Sequence, residues 1–299
     1  MKRVVQVFSL IAFSLGMVMS AGISHAQDVK TNQFYHGTPP EILSPGLAKD
    51  STLICYETFC SNNSGILREP LYSAEYLTEE QIERAKGVSR AEMRFFPDPN
   101  LPEIYSSQLS DYSRSNYDRG HMAPWADSAD PKCFTLANIL PQSPDNNRKL
   151  WEAIETATRE MTENDGELYV VSGPIFTGSN INMLRGRVAI PDMLFKAIYN
   201  PVSNSAGVYI VRNEPGQAWM EISLAELEPL AHIRPFPTLP DQIRNNRGAL
   251  FLPDYHGHRI PMANNLDTSP VNGYAPKTEA PSYFKKEAQH LIKDFVKGL

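Results

Sequence analysis

Basic residues are in deficit. Lys and Arg number 28 against 34 Asp and Glu, a formal net charge of −6 over 299 residues. That balance excludes a partner held by a generally basic surface; a polyanion would have to meet a local cluster of cations. Cysteine is scarcer still. Cys55, Cys60 and Cys133 allow at most one intramolecular bridge and leave one thiol over. Their spacing matches no zinc site. Cys55 and Cys60 would face opposite sides of one straight strand, so a bridge between them needs a turn; the pairing stays open at this level. Repeats and low-complexity linkers are absent, which excludes a solenoid and a chain of loosely tethered modules. Long apolar runs are absent except at the N-terminus, so no later segment can cross a bilayer as a helix.

The N-terminal run has a different meaning. Lys2 and Arg3 precede "VFSLIAFSLGMVM", and "SHAQ" follows with small residues at Ser24 and Ala26. This order predicts a signal peptide over 1–26, cleaved after Ala26, and a periplasmic or secreted protein with no stable membrane association after cleavage. Loss of Lys2 and Arg3 takes the net charge from −6 to −8. Residues 27–50 are polar and proline-bearing and read as an extended arm. Residues 51–275 form the main domain. Residues 276–299 carry Phe284, Ala288, Leu291, Ile292 and Phe295 on one helical stripe, a C-terminal helix packed on the domain.

The main domain reads as α+β, because 24 prolines disfavour long helices. "STLICYETFCSNNSG" is expected to be a strand followed by a turn at Asn62–Gly65. "REPLYSAEYLTEEQIERA" begins as a strand and becomes a helix capped by Thr78, with Gln81 completing a capping box. "GELYVVSGPIF" is a buried strand, "RGRVAIPDMLFKAIYN" a strand pair broken at Pro191, "AGVYIVRN" a further strand and "GALFLP" a short one.

One stretch carries chemistry: "DRGHMAPWADSADPKCFTLANILPQSPDNNRKLWEAIE", from Asp118 to Glu155. His121 stands beside Arg119, an unfavourable pairing if both are charged and a useful one if the histidine stays neutral to take up a proton. Arg119 offers a planar fork to phosphate oxygens. Gly120 permits a sharp turn or a close approach by phosphate, and Asp118 orients donors from the reverse side. Asp145 or Asn146 can cap a helix that starts near Asn147. Asn147, Trp151 and Glu155 then share one helical face. An amide oxygen and a carboxylate are hard ligands suited to a hydrated Mg2+, with Mn2+ as an allowed substitute. These residue types together suit phosphodiester hydrolysis. Trp151 reads as core. His256 and His258 read as a surface loop, having no third ligand nearby.

Three ordered blocks, "DRGHMAPWAD", "LANILPQ" and "NRKLWEAIE", resemble the DNA/RNA non-specific endonuclease family, which includes endonuclease G and the secreted Serratia-type nucleases. "REPLYSAEYLT", "YVVSGPIF" and "VAIPDMLFKAI" extend the resemblance over roughly residues 50–255. It implies a ββα-metal (His-Me finger) nuclease core on a central, mainly antiparallel sheet flanked by helices. It implies His121 as general base, Asn147 as direct Mg2+ ligand, Glu155 as the acid near the metal's water shell, Arg119 as an active-site arginine and Asn138 as a supporting asparagine. A second arginine is expected from "SRAEMRFFPDP", where Arg90 and Arg94 are both candidates and Arg90 is favoured. Arg148 and Lys149 depart from the family pattern and either touch DNA backbone or are solvated. DNA and RNA are the implied substrates, read without sequence preference, and an oligomer such as a dimer is compatible with the chain. Two other functions share these residues: a nucleic-acid receptor whose active site has decayed, and a phosphodiesterase for small nucleotides.

Overall fold

The computed structural model describes residues 31–177 and 181–263. The expected signal peptide and C-terminal helix lie outside the described residues. In chain order, β1 (Glu41–Ile42) and α1 (Pro45–Ala48) precede β2 (Ser51–Cys55), β3 (Phe59–Ser64) and β4 (Glu69–Thr78), which runs into α2 (Glu79–Ala85). A long loop with α3 (Leu109–Tyr112) leads to β5 (Asp118–His121), α4 (Trp125–Ser128) and β6 (Ile139–Gln142). A π-wound turn, Asn146–Trp151, continues as α5 (Glu152–Asp165). Then come β7 (Glu167–Ile175), β8 (Asn182–Leu184), β9 (Val188–Ile190), β10 (Met193–Asn200), β11 (Ser205–Arg212) and β12 (Trp219–Ile222). The described chain closes with α6 (Leu224–Ala231), β13 (Ile233–Arg234), α7 (Asp241–Asn245), β14 (Asp254–Tyr255) and β15 (His258–Arg259).

Seven strands form the central sheet in the order β12-β11-β10-β7-β4-β3-β2, and every neighbouring pair is antiparallel. Side chains alternate across a strand, so each strand feeds two cores. From β10, Phe195, Ala197 and Tyr199 join the larger core with α6. Leu194 and Ile198 join the second core, where Trp151, Ala153, Ile154 and Met161 of the π-turn and α5 cover the sheet. The α+β class and the ββα core follow: β5 and β6 pair antiparallel beside the long helix, outside the main sheet.

Local signals place several elements. Thr78 caps α2, its side chain accepting from Gln81 N–H at 3.2 Å. β7, β9, β10 and β11 occupy the expected stretches, with Pro191 in the break between β9 and β10.

Four expectations need correction. Asn62, Asn63 and Ser64 belong to β3; the expected turn begins only at Gly65, over 65–68, and a second turn, at 56–58, splits the stretch into β2 and β3. That turn makes Cys55 and Cys60 cross-strand neighbours joined by a disulfide, and Cys133 is left as a buried thiol. The expected arm is tied down from residue 31 onward: Phe34 and Leu47 are buried in the larger core and β1 pairs with β13. "GALFLP" is not a strand. Gly248 donates to Ala206 O at 2.7 Å, yet the stretch pairs with no neighbour and the hairpin β14–β15 follows it. Finally, the long helix begins before the expected cap. Asn147 N–H already donates to Ser143 O, no Asp145 side chain caps it, and its first turns close as π rather than α.

Candidate active site

The hairpin of β5 and β6 aligns Asp118 with Gln142 and His121 with Ile139. Gly120 has a packing reason rather than a turning one. A Cβ there would lie 1.9 Å from Gln142 Oε1 and 2.7 Å from Gln142 Cβ, so only glycine lets the Gln142 side chain cross β5 to reach Asn146 Oδ1 at 2.7 Å. The loop from Met122 to Ala137 is closed by Asn138, which is fully buried. Its Nδ2 donates to Ala123 O and Cys133 O at 2.8 and 2.9 Å. Its Oδ1 accepts from Ala123 N–H and Ser73 Oγ–H at 2.9 and 2.8 Å. All four hydrogen-bonding positions of the amide are thereby used, and the backbone beyond His121 is held in one geometry.

The His121 ring lies between two phenyl rings. Phe95 is 5.3 Å away, and Phe134 is 5.1 Å away at an interplanar angle of 88°. Nε2 is buried without a polar partner. Burial, and then the charges of Arg90 and Arg119, push the imidazole down to about 3, so it is neutral at physiological pH. Arg119 stacks 4.4 Å from the Phe95 ring centre and Arg90 5.6 Å from that of Phe134. The same aromatic pair that encloses the histidine therefore carries both cations. Arg94 is curled onto its own loop, donating to Ala91 O and Met93 O; of the two candidates, Arg90 is the one whose charge acts on His121. The loop bearing Arg90 is stapled by Trp125 Nε1–H to Val88 O at 3.3 Å and by Leu136 N–H to Phe96 O at 2.8 Å.

The helix lies along β5. Asp118 Oδ2 accepts from Asn147 Nδ2 at 3.0 Å, and Trp151 Nε1 donates to His121 O at 3.3 Å. These two bonds bring the ends of β5 and the first turns of the helix together, across 26 positions between His121 and Asn147. Asp118 also receives both arms of Arg148, at 2.8 and 2.7 Å, so Arg148 serves the carboxylate that orients Asn147. Lys149 pairs with Asp145. Trp151 is fully buried core.

Glu155 sits two turns on, in a different environment. Among the described residues no hydrogen bond joins it to Asn147 or His121. Burial raises its carboxyl to about 7 against the pull of Lys196 and Arg159, while Asp127 and Glu152 push it further up. Arg159 is itself bonded to buried Asp127 at 2.9 Å. The stretch after Glu155 gave no sign of Arg159 and Asp127 as a pair; they meet because α4 and α5 both pack against α2.

The donors fit a hydrated hard cation. Asn147 commits its Nδ2 to Asp118, and its side-chain oxygen is the atom left for a metal. Among the described residues no three His, Cys, Asp or Glu side chains form a closed metal cluster, so water would supply most of the coordination. His256 and His258 lie in and beside the β14–β15 turn, with no such cluster around them.

Residues 39–242 match the family model described as DNA/RNA non-specific endonuclease. Nuclease C1 of Cunninghamella echinulata var. echinulata is 33% identical over 189 residues, covering 58% of this chain and 74% of its own. The mitochondrial nuclease EXOG of Homo sapiens is 31% identical over 223 residues, covering 64% of this chain and 59% of its own, so this match spans under two thirds of that relative. The solved EndoG/EndoGI complex, a structure addressing EndoG inhibition, contains a chain that aligns with a TM-score of 0.58 at 22% identity, over 64% of this chain and 88% of that one. The last is a likeness of fold.

Proposed function

The chain belongs to the DNA/RNA non-specific endonuclease family, and from that premise we propose that it is an exported, Mg2+-dependent endonuclease that hydrolyses phosphodiester bonds within DNA and RNA, with His121 as general base. The observation that carries this reading is a neutral histidine between two arginines that have no carboxylate partner among the described residues. Nε2 is buried without a polar partner, so Nδ1 is the nitrogen that would meet a water and take up its proton. Arg119 and Arg90 hold the phosphate oxygens and so align the ester with that water. Asn147 and Glu155 would hold the ion, Asn147 through its amide oxygen and Glu155 through its waters. When bound, Mg2+ supplies charge stabilisation at phosphorus and at the departing oxygen. Phosphate contacts carry no base information, which supports cleavage without sequence preference. Export is supported by the N-terminal "MKRVVQVFSLIAFSLGMVMSAGISHAQ" and by the Cys55–Cys60 disulfide, a bond that persists in oxidising compartments.

Plasmid DNA and a long RNA are incubated with the protein and Mg2+, and again with excess chelator. Both polymers are cut at scattered positions, chelator stops cleavage, and His121→Ala slows it by about 10²–10⁴-fold while still binding DNA. Binding without cleavage would indicate a receptor, and cleavage confined to chromogenic mononucleotide diesters a small-nucleotide enzyme. N-terminal sequencing of the exported protein starts at Gln27; a mature chain retaining Lys2 would overturn the signal-peptide assignment.

A further inference from the structure

The sheet face beneath α5 carries a row of buried polar side chains that the scheme above does not use. Ser73 and Glu75 come from β4, Ser172 from β7 and Lys196 from β10, none of them more than 1% exposed. Ser73, Ser172 and Lys196 are successive cross-strand neighbours. Lys196 Nζ donates to Ser172 Oγ at 2.9 Å and stands 5.3 Å from the centre of the Trp151 indole. Trp151 in turn donates to His121 O. At the other end of the row Ser73 donates to Asn138, the side chain that ties down the backbone after His121. The row therefore reaches both anchors of the segment that bears the base.

Burying an ammonium costs several kcal/mol unless other groups compensate, and an apolar residue of similar volume usually packs there at least as well. Lys196 interrupts the apolar run "MLFKAIY", so its charge needs a reason other than stability. Its surroundings supply one: Glu75 and Glu155 both feel its charge, and the indole offers it a π face. We propose that Lys196 is a positioning residue of the hydrolytic centre, holding the Trp151 indole against the backbone of His121 and with it the first turns of the helix that carries Asn147 and Glu155. The inference rests on the roles given above to His121 and Glu155.

The test uses the full chain with Lys196→Met, which keeps the stem and removes the charge, and Lys196→Arg, which keeps a cation. Mn2+ binding is read from the paramagnetic resonance of the unbound ion without nucleic acid, and turnover from cleavage of a fixed duplex at saturating Mg2+. Lys196→Met, folded by circular dichroism, loses about 10–100-fold in Mn2+ affinity and in kcat, and Lys196→Arg recovers most of the Mn2+ affinity. A folded Lys196→Met protein within about threefold of the parent in both readouts overturns the proposal. Where Lys196→Met does not fold, Lys196→Met/Glu75→Gln, which replaces the buried carboxyl near it as well, is judged by the same two readouts. A parent that cleaves no nucleic acid but whose Mn2+ affinity falls on Lys196→Met overturns the nuclease reading and supports the link from Lys196 to the ion.

Discussion

In the proposed reaction His121 is the general base, and its charge state would depend on whether phosphate is present. In the free protein burial and the two arginines hold it down to about 3. A bound phosphodiester neutralises Arg90 and Arg119, removes their share of the shift and moves the imidazole back toward its ordinary value. The profile of kcat/KM reports the free enzyme and that of kcat the complex. The acid limb of kcat/KM therefore lies below the ordinary histidine value, and the acid limb of kcat lies at higher pH than that of kcat/KM, nearer the ordinary value. Profiles on one duplex oligonucleotide check this, and coincident limbs would mean that the arginines do not act on the base. Histidine, arginine and asparagine were legible as residue types from "DRGH" and "NRKLWEAIE" because their chemistry is carried by the side chain itself. Arg90 was favoured over Arg94 from the sequence, but the physical difference between them was not legible, since it depends on which side chain meets Phe134 and which folds back onto its own loop.

At the scale of elements, β5 and the long helix form one unit stitched by Asp118–Asn147 and Trp151–His121. Gly120 is the tightest joint in it. Gly120→Ala forces a methyl into a side chain that is itself fully buried and bonded to Asn146. Overpacking of this kind costs about 1–3 kcal/mol. A thermal melt reads that loss, and turnover falls with it because β5 carries His121. A variant that melts and cleaves like the parent would show that Gln142 can vacate the space. Glycine in "DRGH" was visible in the sequence, but the reason for it was not: the obstructing atoms come from Gln142, 22 positions later. The π-wound start of the helix was likewise hidden, because hydrophobic spacing reports a face and not the closure of each turn.

For the whole molecule, electrostatics limit how nucleic acid is held. The chain is acidic, and many of its arginines are engaged with carboxylates: Arg148 with Asp118, Arg159 with Asp127, Arg187 with Asp111, Arg247 with Glu226. Arg90 and Arg119 face the site without such partners. If they carry most of the phosphate contact, binding of duplex by His121→Ala protein falls with a log–log salt slope of about −2, and Arg119→Ala makes it shallower by about 0.9. Titrations across salt concentration measure it. A slope several times steeper would reveal a basic surface not identified among these residues. The strand at "MLFKAIYN" was legible as a strand, but its division between two cores was not. Nor were the hairpin at Tyr56–Thr58 and the docking of residues 31–50, since strand pairing and the burial of Phe34 are long-range events.

What the sequence alone determined is chemical identity and order: a histidine, arginines, an amide and a carboxylate in three blocks, with apolar stretches around them that read as strands. Those properties are local, set by each side chain and its neighbours. Only the tertiary structure decided which groups share a charge environment. It set Phe95 and Phe134 around His121, gave Asp118 to Asn147 and Arg148, and brought Lys196 beneath Trp151. Each of these is a meeting between distant segments, chosen by packing against a common core rather than by anything the intervening residues encode.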